Sequence, residues 1–463
     1  MAEDKFYSKF QKKSSDKTEK TEKTEKKSGT QKSVGSSDRV KASDKNNSGK
    51  TTFNKKTNDK KIDLKKSGSL VEREIKTEKN IYPSLFSTHS ISKESLNIIN
   101  NFDEIIQGVR PLNSKQLQQL PDNIKAFSHQ LTDERSTRRL GYMNETVQLS
   151  SYVRYYTWWN LVRLVRLFSN LPDSLFPKED SVCLDLGSGP LTVVIALWLA
   201  RPELREKKLT WYCLDVSSNS LALGEDLYLS VAAKTNCEPW KIIRVKGSFG
   251  TSIKQKCDFI TCANMLNELD QASHMPPEYQ TKKYFEQLTN YGTKEANFLL
   301  VEPGVPKAAR TLSLLRDRFI GIEKYVLAPC PHAEECPMNG FKAYTGSQHK
   351  WCNFSFSTVD APAKLLKLSE QAKLSKDRAT LAFIAISTKP ASKNKTDDEM
   401  KIRINSDPFP LPAGRTGFYG CSKLGLTLIS TRNKQLTSGD LISVKKPREG
   451  KIDQKSGARI VEL

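Results

Sequence analysis

The residues with the clearest chemical potential lie in a short glycine-containing stretch near the middle of the chain. Residues 181–194 read Ser-Val-Cys-Leu-Asp-Leu-Gly-Ser-Gly-Pro-Leu-Thr-Val-Val. The pattern begins with an apolar run, which predicts a buried strand. Asp185, Gly187 and Gly189 interrupt the run and predict a tight turn, and the helical spacing of the apolar residues that follow predicts the start of a helix. The glycines let a ligand approach the backbone, and the free N–H groups of the helix start face the same space. Asp185 could bind an amine or hydroxyl group, although many such turns use glycine for geometry alone.

A second acid follows at the end of the next predicted strand. Residues 209–216 read Leu-Thr-Trp-Tyr-Cys-Leu-Asp-Val, and Asp215 lies about one strand–helix unit after the glycine turn. An acid at that place can hold ribose hydroxyl groups. Asp185, the glycine turn and Asp215 together resemble class I S-adenosylmethionine-dependent methyltransferases. They resemble dinucleotide dehydrogenases less, because the turn reads Gly-Ser-Gly-Pro-Leu and lacks the third glycine of those enzymes.

Two residues after later strands complete the predicted cofactor-binding set. Ser248 follows the third strand, where many methyltransferases place an acid for the adenine amine, and it offers a weaker, uncharged contact. Asn264 follows the fourth strand and Glu302 ends the fifth. Because ligands bind outside the carboxyl ends of parallel strands, we expect both to converge on Asp185 and Asp215.

Four of the nine cysteines differ from the others in their surroundings. The four are Cys330, Cys336, Cys352 and Cys421. Each lies in a loop-like stretch that contains Pro, His, Gly or Asn. The other five lie in or beside apolar strands or in a connection, and we interpret them as packing residues. Three of the four fall within 23 residues, which indicates a metal site, but the spacing is not that of paired zinc-ribbon knuckles. Cysteine followed by proline is reminiscent of ferredoxin-type ligation, and four thiolates satisfy a 4Fe-4S cluster; zinc, with His332 or His349 replacing Cys421, is the alternative.

Strands that alternate with helices are predicted to position these residues. After the two strands above come apolar runs at residues 242–245, 257–263 and 298–303, each separated by a segment of helix length. This alternation predicts an α/β fold, a class I methyltransferase-like doubly wound parallel sheet over residues 176–390. A cysteine-rich metal-binding insertion near residues 325–356 belongs to this domain.

The flanking segments have different compositions. Residues 1–80 are mainly Lys, Ser, Thr, Asp and Glu, which predicts a disordered lysine-rich tail that is either a polyelectrolyte arm or a solubilising segment. Residues 81–175 carry apolar residues at helical spacing and predict an N-terminal helical subdomain. Residues 391–463 contain short β-like runs and predict a small β-rich C-terminal extension with little core of its own.

The helical subdomain contains a group of aromatic and basic side chains with two interpretations. Its members are Tyr152, Tyr155, Tyr156, Trp158 and Trp159 beside Arg154, Arg163 and Arg166. Such a group could stack on RNA and bind its phosphates. The alternative is an aromatic face that packs on the neighbouring domain.

Net charge favours a polyanionic partner. The formal charge is +22, of which residues 1–80 carry +10 and the other residues +12. The excess therefore extends beyond the tail and would attract nucleic acid. The sequence has no apolar run long enough to cross a bilayer, and its start is rich in acids and lysines and lacks an apolar secretory segment. We therefore expect no membrane partner. We expect a cytoplasmic protein, or a mitochondrial matrix protein if the source is a eukaryote. No oligomeric state is assigned.

Five short motifs carry a family resemblance. They are Val-Leu-Ala-Pro-Cys-Pro-His at 326–332, Cys-Pro at 336–337, Lys-Trp-Cys-Asn-Phe at 350–354, Asn-Met-Leu-Asn-Glu-Leu at 264–269 and Val-Glu-Pro-Gly at 301–304. They resemble the methyltransferase-like family associated with the small ribosomal subunit, which includes mitochondrial small-subunit assembly factors and bacterial relatives; the chain looks like a bacterial-type member. The resemblance implies S-adenosylmethionine at the glycine turn, a 4Fe-4S cluster on the four cysteines, and small-subunit rRNA and proteins as partners.

Methyl transfer is difficult to recognise from sequence. Methyl transfer depends mainly on alignment of donor and nucleophile, so few groups need to act as acids or bases. We find no Asn-Pro-Pro-Tyr-type motif for base amines and no paired cysteines of the 5-methylpyrimidine enzymes, and we assign no catalytic residue. Two functions stay open: an rRNA methyltransferase, and a non-catalytic ribosome-binding assembly factor that uses the same fold as a scaffold.

Overall fold

The central sheet is built on five parallel strands whose inner members are almost entirely apolar. The computed structural model describes residues 82–132, 142–269, 275–341, 350–390, 399–447 and 450–463, and the predicted disordered tail at 1–80 lies outside them. The parallel strands are β1 (Val182–Leu186), β2 (Thr210–Asp215), β3 (Lys241–Lys246), β4 (Cys257–Ala263) and β5 (Gly292–Glu302). Their order is β3-β2-β1-β4-β5. The five predicted strands are therefore confirmed.

The sheet is mixed, which corrects the predicted parallel sheet. The next strands in the chain are β6 (Tyr325–Ala328), β7 (Phe354–Ser357) and β8 (Arg378–Ser387). β8 lies between β5 and β6 and is antiparallel to both. β7 also pairs with β8, and this pairing is antiparallel as well. An antiparallel neighbour needs only a connection that returns to the same end of the sheet, whereas a parallel one needs a crossover. Residues 358–377 make the returning connection between β7 and β8.

Helices cover both faces of this sheet. Before β1 come α1 (Lys93–Asn100), α2 (Phe102–Val109), α3 (Ser114–Thr132), α4 (Thr146–Ser151) and α5 (Trp158–Phe168), with a π-helical turn at Tyr152–Thr157 between the last two. Between strands come α6 (Thr192–Ala200), α7 (Ser218–Ala233), α8 (Leu266–Leu269), α9 (Pro277–Tyr291), α10 (Pro306–Gly321) and α11 (Ala363–Gln371). No helix in the described ranges has the length and apolar character that a membrane span requires.

Most of the predicted aromatic and basic group is a packing face. Trp158 and Trp159 are each 2 % exposed, and their indole N–H groups donate to the carbonyl oxygen of Ile99 at 2.8 Å and to Oγ of Ser369 at 3.1 Å. Arg154 is also buried, and its guanidinium donates to the carbonyl oxygen of Arg110. For these residues the packing interpretation is confirmed, because a side chain that is buried in this way cannot stack on RNA.

The C-terminal region forms a second sheet with a small core of its own. Its strands are β9 (Glu399–Ile404), β10 (Phe409–Leu411), β11 (Arg415–Ser422), β12 (Gly425–Thr431), β13 (Leu441–Lys445) and β14 (Arg459–Glu462). The order is β13-β9-β11-β12-β14, with β10 paired to β11. Alternate residues of the pleated strands, such as Met400, Ile402 and Ile404, point to one face and build this core.

The turn after β1 is held against α7 by a close approach. Gly187 and Gly189 have φ values of +66° and +51°, which residues with a Cβ rarely adopt. Gly224 of α7 faces the end of this turn, and a Cβ at that position would lie 2.4 Å from the carbonyl carbon of Pro190 and 2.7 Å from the nitrogen of Leu191. The missing side chain of Gly224 therefore lets the helix touch the turn backbone.

This contact predicts that Gly224→Ala destabilises the protein. Alanine is the better helix former by roughly 0.5–1 kcal/mol, but its Cβ would overlap backbone atoms that cannot move aside, at a cost of about 1–3 kcal/mol. Gly108 of α2 is the matched control, because a Cβ at that position would have no neighbouring atom within 4 Å. Denaturant unfolding should show a loss of stability for Gly224→Ala and none for Gly108→Ala; equal effects would contradict the close contact.

Candidate functional site

The carboxyl ends of β1, β2 and β4 border a cavity of ≈ 120 Å³. Of the residues predicted from the sequence, five line it: Gly187, Gly189, Asp215, Ser248 and Asn264. Strand order changes direction between β1 and β4, since the chain goes from β1 outward to β3 and then returns to β4 on the other side. Ligands of open α/β sheets bind at such a switch point.

The carboxylate of Asp215 joins the cavity wall to the glycine turn. Its Oδ2 accepts the N–H of Gly189 at 2.9 Å, and its Oδ1 accepts the N–H of Ser217 at 2.8 Å. Burial raises the pKa of Asp215, and the two backbone N–H groups act in the opposite direction. A carboxylate has about four acceptor positions, so Asp215 keeps capacity for hydroxyl groups of a ligand.

Two of the predicted acids do not line the cavity. Asp185 is completely buried behind the turn, where its Oδ1 accepts the hydroxyl of Thr261 at 2.7 Å and its Oδ2 has no partner. Burial raises the pKa of Asp185 to about 7. Glu302 is equally buried, and its two oxygens accept the N–H groups of Leu266 and Asn267 at 2.9 and 3.1 Å. The prediction that Asp185, Asp215, Asn264 and Glu302 converge at the cavity is therefore wrong for Asp185 and Glu302. Glu302 caps the start of α8, and Asp185 faces into the protein.

Several lining residues come from parts of the chain that sequence reasoning did not connect with the cofactor edge. Tyr152 and Asn160 reach the cavity from the π-helical turn and α5, and Met143 lies beside them. Glu268 also lines the cavity, and its place after the fourth strand, where methyltransferases commonly bind substrate, was visible in the sequence. Burial raises the pKa of Tyr152, and the negative charges of Glu268 and Asp215 raise it further. For Tyr152 the signal in the sequence was the aromatic cluster, which carried no indication of which ring faces the sheet edge.

The four predicted metal-binding cysteines lie on one side of the sheet, between α10 and the C-terminal sheet. Cys330 follows β6, Cys336 lies in the next loop, Cys352 precedes β7 and Cys421 lies in β11. Burial raises the pKa of the Cys352 thiol, and the charges of Cys336, Cys330 and Cys421 add to the effect. The four thiols are therefore within electrostatic reach of one another.

Two buried cations and one histidine accompany these thiols. Arg316 of α10 is 2 % exposed and donates to the carbonyl oxygens of His332 and Glu334 at 3.1 and 2.7 Å. Burial acts to lower the pKa of Arg316, but Cys330, Cys336 and Asp317 together raise it above its usual value. Nε2 of His332 lies 2.9 Å from Sγ of Cys421. Arg403 of β9 donates to the carbonyl oxygen of Pro329 at 3.0 Å and so ties the second sheet to this loop.

The thiols do not form a preassembled metal site. In the described part of the chain, no group of three or more His, Cys, Asp or Glu side chains is arranged to hold a metal ion, and the prediction of a metal-binding insertion is not supported. The alternative zinc ligand His349 lies outside the described residues. The surroundings nevertheless offer a hydrogen-bond donor to an anionic group, because Nε of Arg316 is buried without a partner.

The fold and the cavity define the class of protein. The order β3-β2-β1-β4-β5-β8-β6, with β8 antiparallel, is that of class I S-adenosylmethionine-dependent methyltransferases. The chain belongs to the family described as mitochondrial small ribosomal subunit Rsm22, whose model matches residues 163–401. The match includes three of the four cysteines and ends before Cys421. Among curated proteins, none matches this chain.

Solved structures that match the chain share little sequence with it. A Geobacter sulfurreducens S-adenosylmethionine-dependent methyltransferase in complex with S-adenosyl-L-homocysteine is 12 % identical over 49 % of this chain and 89 % of that one, with a TM-score of 0.27. YjhP from E. coli is 14 % identical over 57 % and 99 %, with a TM-score of 0.27. A precorrin 8W decarboxylase from Methanobacterium thermoautotrophicum is 12 % identical over 31 % of this chain and 64 % of its own, with a TM-score of 0.22. The classification rests on the family match and the strand order.

The buried carboxyl of Asp185 predicts a specific dependence of stability on pH. An aspartate in an unfolded chain has a pKa of about 3.9, whereas the pKa of Asp185 in the fold is about 7. Between these values the native state binds more protons than the unfolded state, so the free energy of unfolding falls as the pH rises from about 4 to about 7. Asp185→Asn should remove this loss, which amounts to about 1.4 kcal/mol per unit of pKa difference.

Urea denaturation at a series of pH values measures this effect. Asp226 is an exposed aspartate of α7, and Asp226→Asn should follow the wild-type profile. If Asp185→Asn also follows that profile, Asp185 does not carry the penalty.

Proposed function

We propose that the chain is an S-adenosylmethionine-dependent methyltransferase-like protein that acts on the small ribosomal subunit, by methylation of its rRNA, by assisting subunit assembly, or both. One observation carries the proposal: the cavity at the switch point has a glycine turn on one wall and Asp215 on another. The family description supplies the ribosomal context. This places the protein where small subunits occur, in the cytoplasm or the mitochondrial matrix.

The cavity residues suit the parts of S-adenosylmethionine. Asp215 would accept the ribose hydroxyl groups with the acceptor positions that Gly189 and Ser217 leave open. Gly187 and Gly189 would let the amino acid portion approach the backbone. Ser248 would contact the adenine, and Asn264, whose φ is +60°, would line the same pocket from the β4 side. Asp185 would support the turn from behind.

The partner proposed for the positive surface is small-subunit rRNA. The residues after the tail carry +12 of the +22 formal charge, so long-range attraction does not depend on residues 1–80 alone. The proposed organisation assigns cofactor binding to residues 176–390, which the helical subdomain at 81–175 precedes and the β-rich extension at 391–463 follows.

Filling the cavity should abolish cofactor binding. Ser248 is exposed in the loop after β3 and lines the cavity, whereas Ser252, four residues further along, is exposed but does not line it. Ser248→Trp would put an indole where the adenine is proposed to lie, so isothermal titration calorimetry with S-adenosylmethionine should show at least about a tenfold loss, or roughly 1.4 kcal/mol. Ser252→Trp should bind as the wild type does. Equal binding by both variants would refute the cavity as the cofactor site.

The same pair of variants separates a methyltransferase from a scaffold. Mass mapping of small-subunit rRNA from cells that lack the protein, complemented with each variant, reports methylation directly. A modified nucleotide that Ser252→Trp restores and Ser248→Trp does not would establish an enzyme. An unchanged set of rRNA modifications together with a subunit assembly defect would establish the assembly function instead.

A second part of the proposal concerns the four cysteines, which we propose hold one 4Fe-4S cluster. The support is the donor set of four thiols beside the buried guanidinium groups of Arg316 and Arg403, which would offset the negative charge of a thiolate-ligated cluster. Cys421 would join the core to the C-terminal sheet. A link of this kind restricts the unfolded chain and contributes stability of about 2–4 kcal/mol in the entropic model of a covalent cross-link.

Iron analysis tests this part. Protein that is purified without oxygen should be brown, with about four irons and four sulfides per chain. Cys421→Ser should lower the iron content and expose the C-terminal sheet to protease. Cys237→Ser should change neither, because the Cys237 thiol donates to the carbonyl oxygen of Thr235 at 3.3 Å and packs against the main core, away from the four cysteines. If the protein is colourless and contains one zinc per chain, the four cysteines hold zinc and no cluster. If it contains no metal, both the cluster and the zinc site are ruled out.

A further inference from the structure

Four neighbouring side chains have no role in the proposed cofactor edge: Tyr152, Tyr156, Arg163 and Lys376. Tyr152 lines the cavity, and so does Asn160, whose Oδ1 accepts a hydrogen bond from the Arg163 guanidinium. Arg163 also donates to the carbonyl oxygen of Thr380 at 2.8 Å. Tyr152 and Arg163 therefore lie beside the cavity, and Tyr156 and Lys376 adjoin them.

The aromatic half of the group is produced by the π-helical turn. Tyr152 begins the turn, and its ring stacks on Tyr156 with centroids 5.5 Å apart and an angle of 25° between the planes. Phe127 of α3 meets both rings edge-on at 6.3 and 5.9 Å. π-Helical turns are frequent at functional sites because they change which side chains face a ligand. Both tyrosines are only partly buried, so the pair is a rigid aromatic surface that ends at the cavity.

The basic half consists of two cations without an acidic partner. Nζ of Lys376 lies over the rings of Tyr155 at 5.1 Å and Trp159 at 5.4 Å. Neither Lys376 nor Arg163 forms an ion pair within the residues that the structure describes. Three other shielded arginines near this helix have carboxylate partners: Arg166 pairs with Asp360, Arg201 with Asp173 and Glu203, and Arg205 with Glu94. The buried Arg154 instead donates to neutral acceptors, among them the carbonyl oxygen of Arg110.

The electrostatics of these two cations favour an anion beside them. Burial lowers the pKa of Arg163 to about 10. Burial and then the charge of Arg163 lower the pKa of Lys376 to about 8. Two partly desolvated positive charges that repel each other cost free energy, which a bound anion would recover. Perturbed groups of this kind next to a cleft are typical of functional sites.

We propose that Tyr152, Tyr156, Arg163 and Lys376 bind one unpaired nucleotide of RNA at the mouth of the cavity. The tyrosine pair would stack on the base, and Arg163 and Lys376 would hold an adjoining phosphate. The proposal rests on the proposed function, and it specifies the substrate class as single-stranded RNA that is presented toward the cofactor. An acidic peptide would pair with the cations but would leave the aromatic surface unused, whereas a nucleotide uses both.

Photocrosslinking with the full chain tests the placement. The probe is a short single-stranded RNA that carries 4-thiouridine, and the crosslinked tryptic peptides are identified by mass spectrometry. We expect crosslinks in peptides 140–154 and 155–163, which contain Tyr152 and Tyr156. The same RNA annealed to its complement should compete poorly, because a paired base cannot reach a stacking surface.

Lys376→Met tests the phosphate contact while it keeps an apolar stem against the two rings. RNA affinity should fall by about tenfold and the slope of log K against log salt by about one, and the crosslinks at 140–163 should disappear. Lys376→Arg keeps the charge and the ring contact and should retain binding. Lys364→Met is the matched control, since Lys364 is exposed and already pairs with Asp103 and Glu104, and it should bind RNA as the wild type does.

Calorimetry with S-adenosylmethionine on the same samples separates the possible failures. If the wild type does not bind S-adenosylmethionine, the proposed function fails. If it binds and the crosslinks map only to residues 1–80 or 399–463, the nucleotide site is wrong while the cofactor site stands. Crosslinks at 140–163 that persist in Lys376→Met, with unchanged affinity, would show that Lys376 is a structural cation on the aromatic rings.

Discussion

The hydrogen bonds of the Asp215 carboxylate are the interaction on which the cavity depends. One oxygen holds the N–H of Gly189 in the turn after β1, and the other holds the N–H of Ser217 at the start of α7. The side chain of Ser217 then accepts the N–H of Ser220 at 3.1 Å and caps the helix. One buried acid thus fixes the end of β2, the glycine turn and the helix that packs on the turn. These contacts set the backbone of the cavity wall.

Sequence reasoning succeeded where local pattern and burial coincide. Four of the five parallel strands could be predicted because each contains an apolar run that both faces of the sheet bury. The edge strand β3, which has no buried residue, was predicted from its short run of Ile and Val. Asp215 could be predicted because an acid at the end of such a strand must lie at the sheet edge. Glu302 shows the limit: it occupies an equivalent place, but its carboxylate turns inward to cap α8. The direction of one side chain depends on the nearest unsatisfied N–H groups, which no sequence pattern reports.

The nonlocal features could not be predicted for the same reason. The antiparallel placement of β8 depends on how the chain returns after β7, and the core of the second sheet depends on pairing between strands that are distant in sequence. The position of Lys376 over Tyr155 and Trp159 joins residues more than two hundred positions apart. The aromatic cluster was visible in the sequence, but only the structure separates the buried Tyr155, Trp158 and Trp159 from the partly exposed Tyr152 and Tyr156.

The cysteine region and the cavity are connected through the loop after β5. Trp351, which precedes Cys352, donates its indole N–H to the carbonyl oxygen of Gly304 at 3.0 Å. Two residues before Gly304, Glu302 holds the start of α8, the helix that carries Glu268 into the cavity wall. A continuous chain of hydrogen bonds and covalent neighbours therefore runs from the thiols to the cavity. The end of β5 and the loop after it therefore contact both the residue before Cys352 and the helix that forms part of the cavity wall.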